Sequence, residues 1–428
     1  DAEVASANTR FGNPDDPDLT SFDWKAALFR IARLRTYDFT YSGGTDRTTF
    51  YVGASYQRQE GQVIKNKWER ATARFNLAHR ASKRFSIESK NTIAVQGIFG
   101  AIAGGEGNFL NSPFFGAFRS AQYTDGVLAF NYNILQGVNQ EVRKGSAVQV
   151  VSSIKGVYNL LPSLSLTAFT GVDWLNNRDE NIRPTTVPLF SPGNMTNTYD
   201  RNFAFNTSYT LNFNKRLGEN HNVSALLGYE YRYVESMFTS ALGRSFNPNI
   251  SVLNGVTNGT TSTTVSRVSG NVIENDRAGF FSQARYNYKE KYFVDGTLRR
   301  DGSSKFGAKN RYGTFYAGSV AWRISQEAFM EGIRDQLSEL KIRASYGYLG
   351  NSEISDYNNV TTFSAAGVQY LGVGGLRPAV LGNDLLTWEG SAQTNLGLDF
   401  GFGRGSRIFG SVDFWRRDTK DALFSVAI

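Results

Sequence analysis

The sequence lacks cysteine altogether and has only 2 histidines, 3 methionines and 9 prolines. Without cysteine there is no disulfide scaffold and no thiolate metal site, and any compartment, an oxidising one included, suits the chain. Two histidines alone do not supply a structural zinc site, and no metal or other cofactor is expected. No apolar run reaches the roughly 18 residues that a membrane-crossing helix needs. The negative mean hydropathy does not exclude a membrane, because strands of a membrane barrel turn every second residue toward a polar lumen. Clustered charge is missing too. The net charge of +8 is scattered among acids, which reads as ordinary surface charge and gives no reason to expect a nucleic-acid partner. Asp1 is not preceded by the basic, apolar and small residues of a secretory leader, so a targeting signal is expected to be absent from these residues.

What the sequence has is glycine (43), tyrosine (21) and phenylalanine (32), the composition of many strands joined by turns. Period-two patterning predicts about fourteen strands, near 34–42, 47–59, 66–80, 84–96, 145–159, 163–178, 197–214, 221–240, 276–288, 291–300, 312–325, 339–349, 387–401 and 406–418. Several exceed the usual strand of a soluble sandwich and suit a tilted strand that crosses a bilayer and continues beyond it. The faces are lopsided. Leu340, Ile342, Ala344, Tyr346 and Tyr348 oppose Lys341, Arg343, Ser345 and Gly347. Phe203, Phe205, Tyr209, Leu211 and Phe213 oppose Asn206, Ser208, Thr210 and Asn212, and Val223, Ala225, Leu227, Tyr229, Tyr231 and Tyr233 oppose Ser224, Glu230 and Arg232. In the first and third sets the tyrosines gather at one end, as in an aromatic girdle.

Connection lengths test the same idea independently, because an up-and-down barrel places alternate connections on opposite sides. The long connections 97–144, 179–196, 241–275 and 350–386 all fall on one side, where they are expected as extracellular loops. The other side carries short turns, except at 325–337, where SQEAFMEGIRDQL predicts a short periplasmic helix. No repeat of about 20–50 residues marks a propeller or solenoid. The fold class is therefore all-β, an antiparallel transmembrane β-barrel segment.

Few residues invite chemistry. RRDGSSKFG, Arg299–Gly307, is glycine-rich, serine-rich and basic, yet it lacks the spacing of a phosphate-binding loop and no helix follows to hold an anion. The expected reading is a turn with Asp301-Gly302 as the bend. His79 and His221 fall at strand ends on the short-turn side, remote from any acid and serine pair, which argues against a hydrolase site, and no catalytic residue is assigned. Glu389, Asp399 and Asp413 read as solvated groups of a barrel interior rather than a paired-acid site. In the loop 97–144, Phe109, Phe114, Phe115, Phe118 and Tyr123 stand among polar residues. Two readings are open: contact with a sugar, a peptide or a protein partner, or inward packing against the barrel mouth.

Several blocks, in order, carry a family resemblance: YSGGTDRTTFYVGASYQRQEGQVIKNKWERATARFNLAHRASKRF, RRDGSSKFG with RYGTFYAGSVAWRISQEAFM, LKIRASYGYLGNSEISDY, and LTWEGSAQTNLGLDFGF with GSVDFWRRDTKDALF. They resemble the barrel of SusC/RagA-type TonB-dependent transporters of Bacteroidetes. The resemblance spans nearly the whole chain and is weakest in the loops 97–144 and 241–275. It implies a barrel of about 22 strands in the bacterial outer membrane, with an N-terminal plug. It further implies a SusD-like surface lipoprotein as lid, energy from the TonB-ExbB-ExbD complex, and uptake of oligosaccharides or peptides. On that reading residues 1–428 supply about fourteen of those strands, with plug and C-terminal strands outside them. A sheet with two raw edges is expected not to insert alone; a clean heat-modifiable monomer of these residues would refute this. By resemblance RRDGSSKFG lies at the extracellular mouth, and Arg299, Arg300 and Lys305 have three tasks open to them: bracing a neighbouring loop, the plug or the lid. Phe114, Phe115, Phe118 and Tyr123 join them as expected substrate or lid contacts. The alternatives to import are a passive porin, a scaffold subunit of an outer-membrane assembly, or, less favoured, an outer-membrane hydrolase.

Overall fold

The computed structural model describes residues 29–100, 121–124, 127–130, 142–183, 193–244, 246, 267–364, 369–370, 373–404 and 406–424. Fourteen long strands form one antiparallel sheet in chain order: β1 (Leu34–Gly44), β2 (Thr48–Glu60), β3 (Lys67–Arg80), β4 (Phe85–Gly100), β7 (Val142–Leu161), β8 (Leu164–Arg183), β9 (Asn194–Leu217), β10 (His221–Arg244), β11 (Arg267–Tyr288), β12 (Tyr292–Ser303), β13 (Tyr312–Arg323), β14 (Leu337–Asn351), β19 (Glu389–Phe402) and β20 (Ile408–Lys420). Six short strands pair as hairpins inside the long connections: β5 (Ala121–Thr124) with β6 (Val127–Phe130), β15 (Thr362–Ser364) with β18 (Arg377–Val380), and β16 (Gln369–Tyr370) with β17 (Val373–Gly374). Every neighbour in the main sheet is also the neighbour in sequence, the meander expected of an up-and-down barrel wall. Among the described residues β1 and β20 each pair on one side only, and both are exposed on nearly every residue.

The two faces differ in chemistry. In register, Leu227 of β10 lies beside Leu211 of β9, Val294 of β12 beside Val320 of β13, and Ile342 of β14 beside Leu398 of β19. Apolar side chains on this face are widely exposed, with Leu227 60%, Leu298 51%, Val320 53% and Leu396 52% accessible, an arrangement that water penalises and hydrocarbon accepts. Polar groups on this face are hydrogen-bonded to one another: Ser152 Oγ donates to Asn91 Oδ1 at 2.6 Å, and Thr170 and Thr207 hydroxyls meet at 3.2 Å. Near the short turns an aromatic ladder crosses the sheet: His221 to Tyr288 at 4.8 Å, Tyr288 to Tyr292 at 6.2 Å, and Tyr292 stacked on Trp322 at 6.3 Å. Toward the long connections a second aromatic band holds Tyr229 with Phe280 at 4.8 Å and Tyr316 with Tyr346 at 6.2 Å. From Trp322 to Tyr312 the strand runs about 33 Å, which a tilt near 45° turns into a height of about 23 Å, close to the apolar band of a membrane barrel.

The opposite face is polar and ion-paired. Arg343 donates to Asp399 at 3.0 and 3.1 Å and reaches over β19 to Asp413 at 3.0 Å. Gly397, cross-strand from both Arg343 and Asp413, makes that crossing open, since a Cβ there would stand 2.7 Å from the guanidinium carbon. Asp399 and Asp413, expected as merely solvated, are thus paired. Glu389 instead accepts from the Leu423 N–H.

Connections alternate as expected. The sheet strands join through Thr45–Arg47, Ala81–Arg84, Pro162–Ser163, Gly218–Asn220 and Lys289–Lys291 on one side, with the long connections on the other. Strands β7 to β11 continue into segments expected as loops: β8 ends at Arg183, β10 at Arg244, and β11 begins at Arg267. There the hairpins rise past the apolar band, so polar residues enter both faces and the alternation that marks a strand fades, while the hydrogen-bond ladder continues. The segment 325–337 forms two 3-10 helices, Ile324–Gln326 and Ala328–Ile333, rather than one continuous helix. Glu327 breaks it by taking an extended backbone (φ −74°, ψ 152°).

Candidate functional site

RRDGSSKFG is not a simple turn. Arg299 to Ser303 belong to β12, where Asp301 pairs with Gly313 and Gly302 with Tyr312, so the bend is not at Asp301-Gly302 but in the connection 304–311. The strand continues because its ladder to β11 continues, with Ser303 opposite Arg277. Neither is the segment a phosphate cradle, for its N–H groups are engaged: Ser303 N–H donates to Arg311 O, Ser304 N–H to Asp276 O, Lys305 N–H to Ser303 Oγ and Phe306 N–H to Ser303 O.

The three basic residues part ways, because Arg299 and Arg300 alternate across the sheet. Arg299 lies on the polar face, donates to Asp301 at 3.0 and 3.1 Å and to Glu230, and covers the Phe281 ring at 5.1 Å. Arg300 lies on the apolar face beside Phe280, with its guanidinium 5.7 Å from the Tyr312 ring. Lys305 is 11% exposed and donates to Ile354 O at 2.7 Å, with Asp356 at 4.0 Å. Of the three tasks open to these residues, Lys305 performs the first: it braces a neighbouring loop.

That loop, from Ser352 onward, is docked at many points. Tyr357 hydroxyl accepts from Glu274 N–H at 2.9 Å, Asn310 donates to Leu385 O at 2.9 Å, and Trp388 Nε1 donates to Arg311 O at 3.3 Å. Phe306, fully buried, and Phe315 meet Trp388 at 5.1 and 5.2 Å. Gly307 permits the approach, since a Cβ would stand 2.5 Å from Asp384 O. Beneath this roof a cleft of about 540 Å³ opens on the polar face, lined by Asn206, Glu230, Arg232, Arg277, Arg299 and Trp388 among others. Arg277 donates to Glu353 at 2.9 Å, and that bond holds the Glu353 carboxyl below the usual carboxylate range.

Phe109, Phe114, Phe115 and Phe118 lie outside the described residues, and Tyr123 is described only as backbone, in β5. Among the described residues the histidines bond to hydroxyls and to no acid: His79 Nδ1 is 2.8 Å from Thr48 Oγ1 and His221 Nδ1 2.7 Å from Tyr286 hydroxyl. The cleft residues that sequence reasoning passed over are Arg277, Glu353 and Trp388. Glu230 and Arg232 had the right face, but only the cross-strand register brings them to Arg277, and no spacing within one strand encodes that register.

The family described as TonB dependent receptor-like, beta-barrel matches residues 2–428. TonB-dependent receptor P3 of Formosa agariphila is 28% identical over 94% of the chain and 41% of its own length. TonB-dependent receptor SusC of Bacteroides thetaiotaomicron is 27% identical over 99% of the chain and 45% of its own length. The chain thus spans less than half the length of these curated relatives. Among solved structures, one described as the RagAB peptide transporter superposes with a TM-score of 0.79 at 26% identity, covering 95% of this chain and 46% of that one. The RagAB peptide importer in an open-open state gives 0.80 at 25% identity, covering 100% and 50%.

Proposed function

The chain belongs to the TonB-dependent receptor-like β-barrel family of the outer membrane, and from that premise we propose that it forms barrel wall and mouth of a SusC-type importer. The apolar face of the sheet meets outer-membrane lipid; the polar face lines the lumen. The connections 97–144, 179–196, 241–275 and 350–386 are extracellular, and the short turns with the 3-10 pair are periplasmic. The cargo is an oligosaccharide or peptide, captured under a SusD-like lipoprotein and drawn inward with energy from the TonB-ExbB-ExbD complex. One observation carries the reading: a charged cleft opens on the lumen face directly under a loop pinned to the barrel rim, where a captured ligand passes first. The likeness to SusC and to the RagAB importer supports the same assignment. In this wall Arg299 orders the lumen surface and Lys305 fixes the mouth loop. Phe114, Phe115, Phe118 and Tyr123 are assigned to ligand or lid contact. The chemistry in the wall is recognition, and no residue is assigned to bond cleavage. The test is native purification of the full-length protein from outer membranes with mass spectrometry of what accompanies it. A stoichiometric SusD-like lipoprotein is expected; its absence, or a set of unrelated assembly proteins, overturns the reading in favour of a porin or scaffold.

A further inference from the structure

Within the cleft one cation stands apart. Arg299 is held by Glu230 and Asp301, and Arg277 by Glu353, whereas Arg232 is exposed and, among the described residues, makes no direct hydrogen bond or ion pair and only lies within electrostatic reach of Glu353. In the β10–β11 ladder Arg232 lies directly opposite Arg277, and in the β9–β10 ladder directly opposite Asn206. Like charges directly opposed across two strands destabilise the pair unless an anion is shared between them. Part of that role is already filled from above. The Glu353 carboxylate descends from the docked loop onto Arg277, yet its side chain is 71% exposed, so it is readily displaced. Guanidinium forks grip carboxylates in two parallel bonds, and Trp388 adds an aromatic wall beside them.

Resting on the importer reading, we propose that Arg232 and Arg277 form a subsite for a carboxylate of the imported ligand, a position that Glu353 occupies when no ligand is present. Two ligand sources share this chemistry: an oligopeptide, through its C-terminus or acidic side chains, and an oligosaccharide containing uronic acid. Glu230 and Asp301, locked to Arg299, form an acidic floor that keeps a second carboxylate from settling deeper. A ligand displacing Glu353 would also remove one of the ties between the loop and the wall.

The test uses the full-length transporter purified with its outer-membrane partner and four probes: a mixed hexapeptide pool, the same pool amidated at the C-terminus and on acidic side chains, oligogalacturonate, and its methyl ester. Retained ligand is measured by mass spectrometry, and uptake of the same probes by cells is followed in parallel. The free acid of one source is expected to be retained about tenfold better than its neutral form, and which source shows the preference identifies the ligand class. Arg232→Gln and Arg277→Gln are expected to bring acid and neutral forms to near parity, with Arg232→Lys restoring part of the preference. Heat-modifiable mobility checks that each variant is folded. Should either glutamine variant fail to fold, Glu353→Gln serves instead, and it is expected to strengthen acid binding by removing the competing carboxylate. If acid and neutral forms are retained alike while uptake proceeds, the subsite is wrong and the importer reading stands. If no probe is retained and none enters cells, the importer reading falls and the subsite with it.

Discussion

The two faces of the sheet solve opposite problems with the same backbone. On one, exposed Leu, Val and Ile succeed each other from strand to strand, framed by two aromatic bands. On the other, guanidinium groups tie the strands together: Arg299 pairs with Asp301 on its own strand and reaches Glu230 two strands away, Arg343 pairs with Asp399 on the next strand and Asp413 on the one beyond, and Arg285 pairs with Asp295. The apolar face stabilises only in lipid and tolerates no charge in its middle. The polar face tolerates charge but couples the strands through it, so its residues act in groups. The same substitution should therefore have very different effects one residue apart.

The largest contrast is expected from arginine at two adjacent positions of β12. Leu298→Arg places a cation on the lipid-facing face, opposite Tyr316, and should cost about 2 kcal/mol or more, whereas Thr297→Arg, pointing to the lumen beside Asp295, should stay within about 0.5 kcal/mol. Urea unfolding of the full-length protein in lipid vesicles measures both. Equal costs would mean that the faces have been assigned wrongly.

A smaller effect tests whether the polar face acts through groups. Arg299→Ala leaves Glu230 and Asp301 without their shared cation and should cost about 1–2 kcal/mol. Adding Glu230→Gln should recover part of that loss, because one of the two stranded charges is gone. Strictly additive losses in the double variant would show that no group exists.

The fold was legible because the faces are: alternation such as Leu340-Ile342-Ala344 against Lys341-Arg343-Ser345 survives wherever one face meets lipid, and the parity of connection lengths gave the meander independently. It failed where hairpins leave the band. RVSGNVIEND at the start of β11 mixes polar and apolar residues on both faces, with Val268 and Val272 on one and Ile273 on the other, so its strand character lies in the ladder to β10 rather than in alternation. The site was less legible for a related reason. Arg299 and Lys305 were singled out from composition, but apart from Asp301, two residues from Arg299, the partners that place them lie 69 and 49 residues away, on β10 and in the mouth loop. Arg300 sits one residue from Arg299 and faces the other way, a separation that follows once the segment is known to be strand rather than turn.

Lys305 tests the polar side at its rim, where the ties are few and local. Lys305→Ala removes a well-buried donor to Ile354 O and should loosen the loop by about 1 kcal/mol without touching the sheet. Hydrogen exchange is expected to accelerate over 352–358 and to stay unchanged in β10 and β12. Acceleration throughout those strands would mean that the loop supports the wall rather than resting on it.

The smallest effect lies where the two faces meet at the short-turn end. Glu327 accepts from Lys291 Nζ at 3.0 Å and from Trp322 Nε1 at 3.1 Å, joining a cation to the aromatic ladder of the apolar face. Hydrogen bonds from the Tyr292 hydroxyl first, then from Lys291 and Trp322, hold its carboxyl down to about 2, below the ordinary value of 4.5. A carboxyl depressed in the folded state contributes stability that is fully present above its unfolded value and is lost as pH falls toward the folded one. The clamp should therefore persist at neutral pH and weaken between about 4.5 and 2. Trp322 fluorescence reports it, read as the difference between the protein and Glu327→Gln in the same vesicles. That difference is expected to be constant from neutral pH down to about 4.5 and to shrink below it, since protonated Glu327 and glutamine are both neutral. A difference that titrates near 6 or above would place the proton on another group and detach Glu327 from the ladder it is argued to anchor.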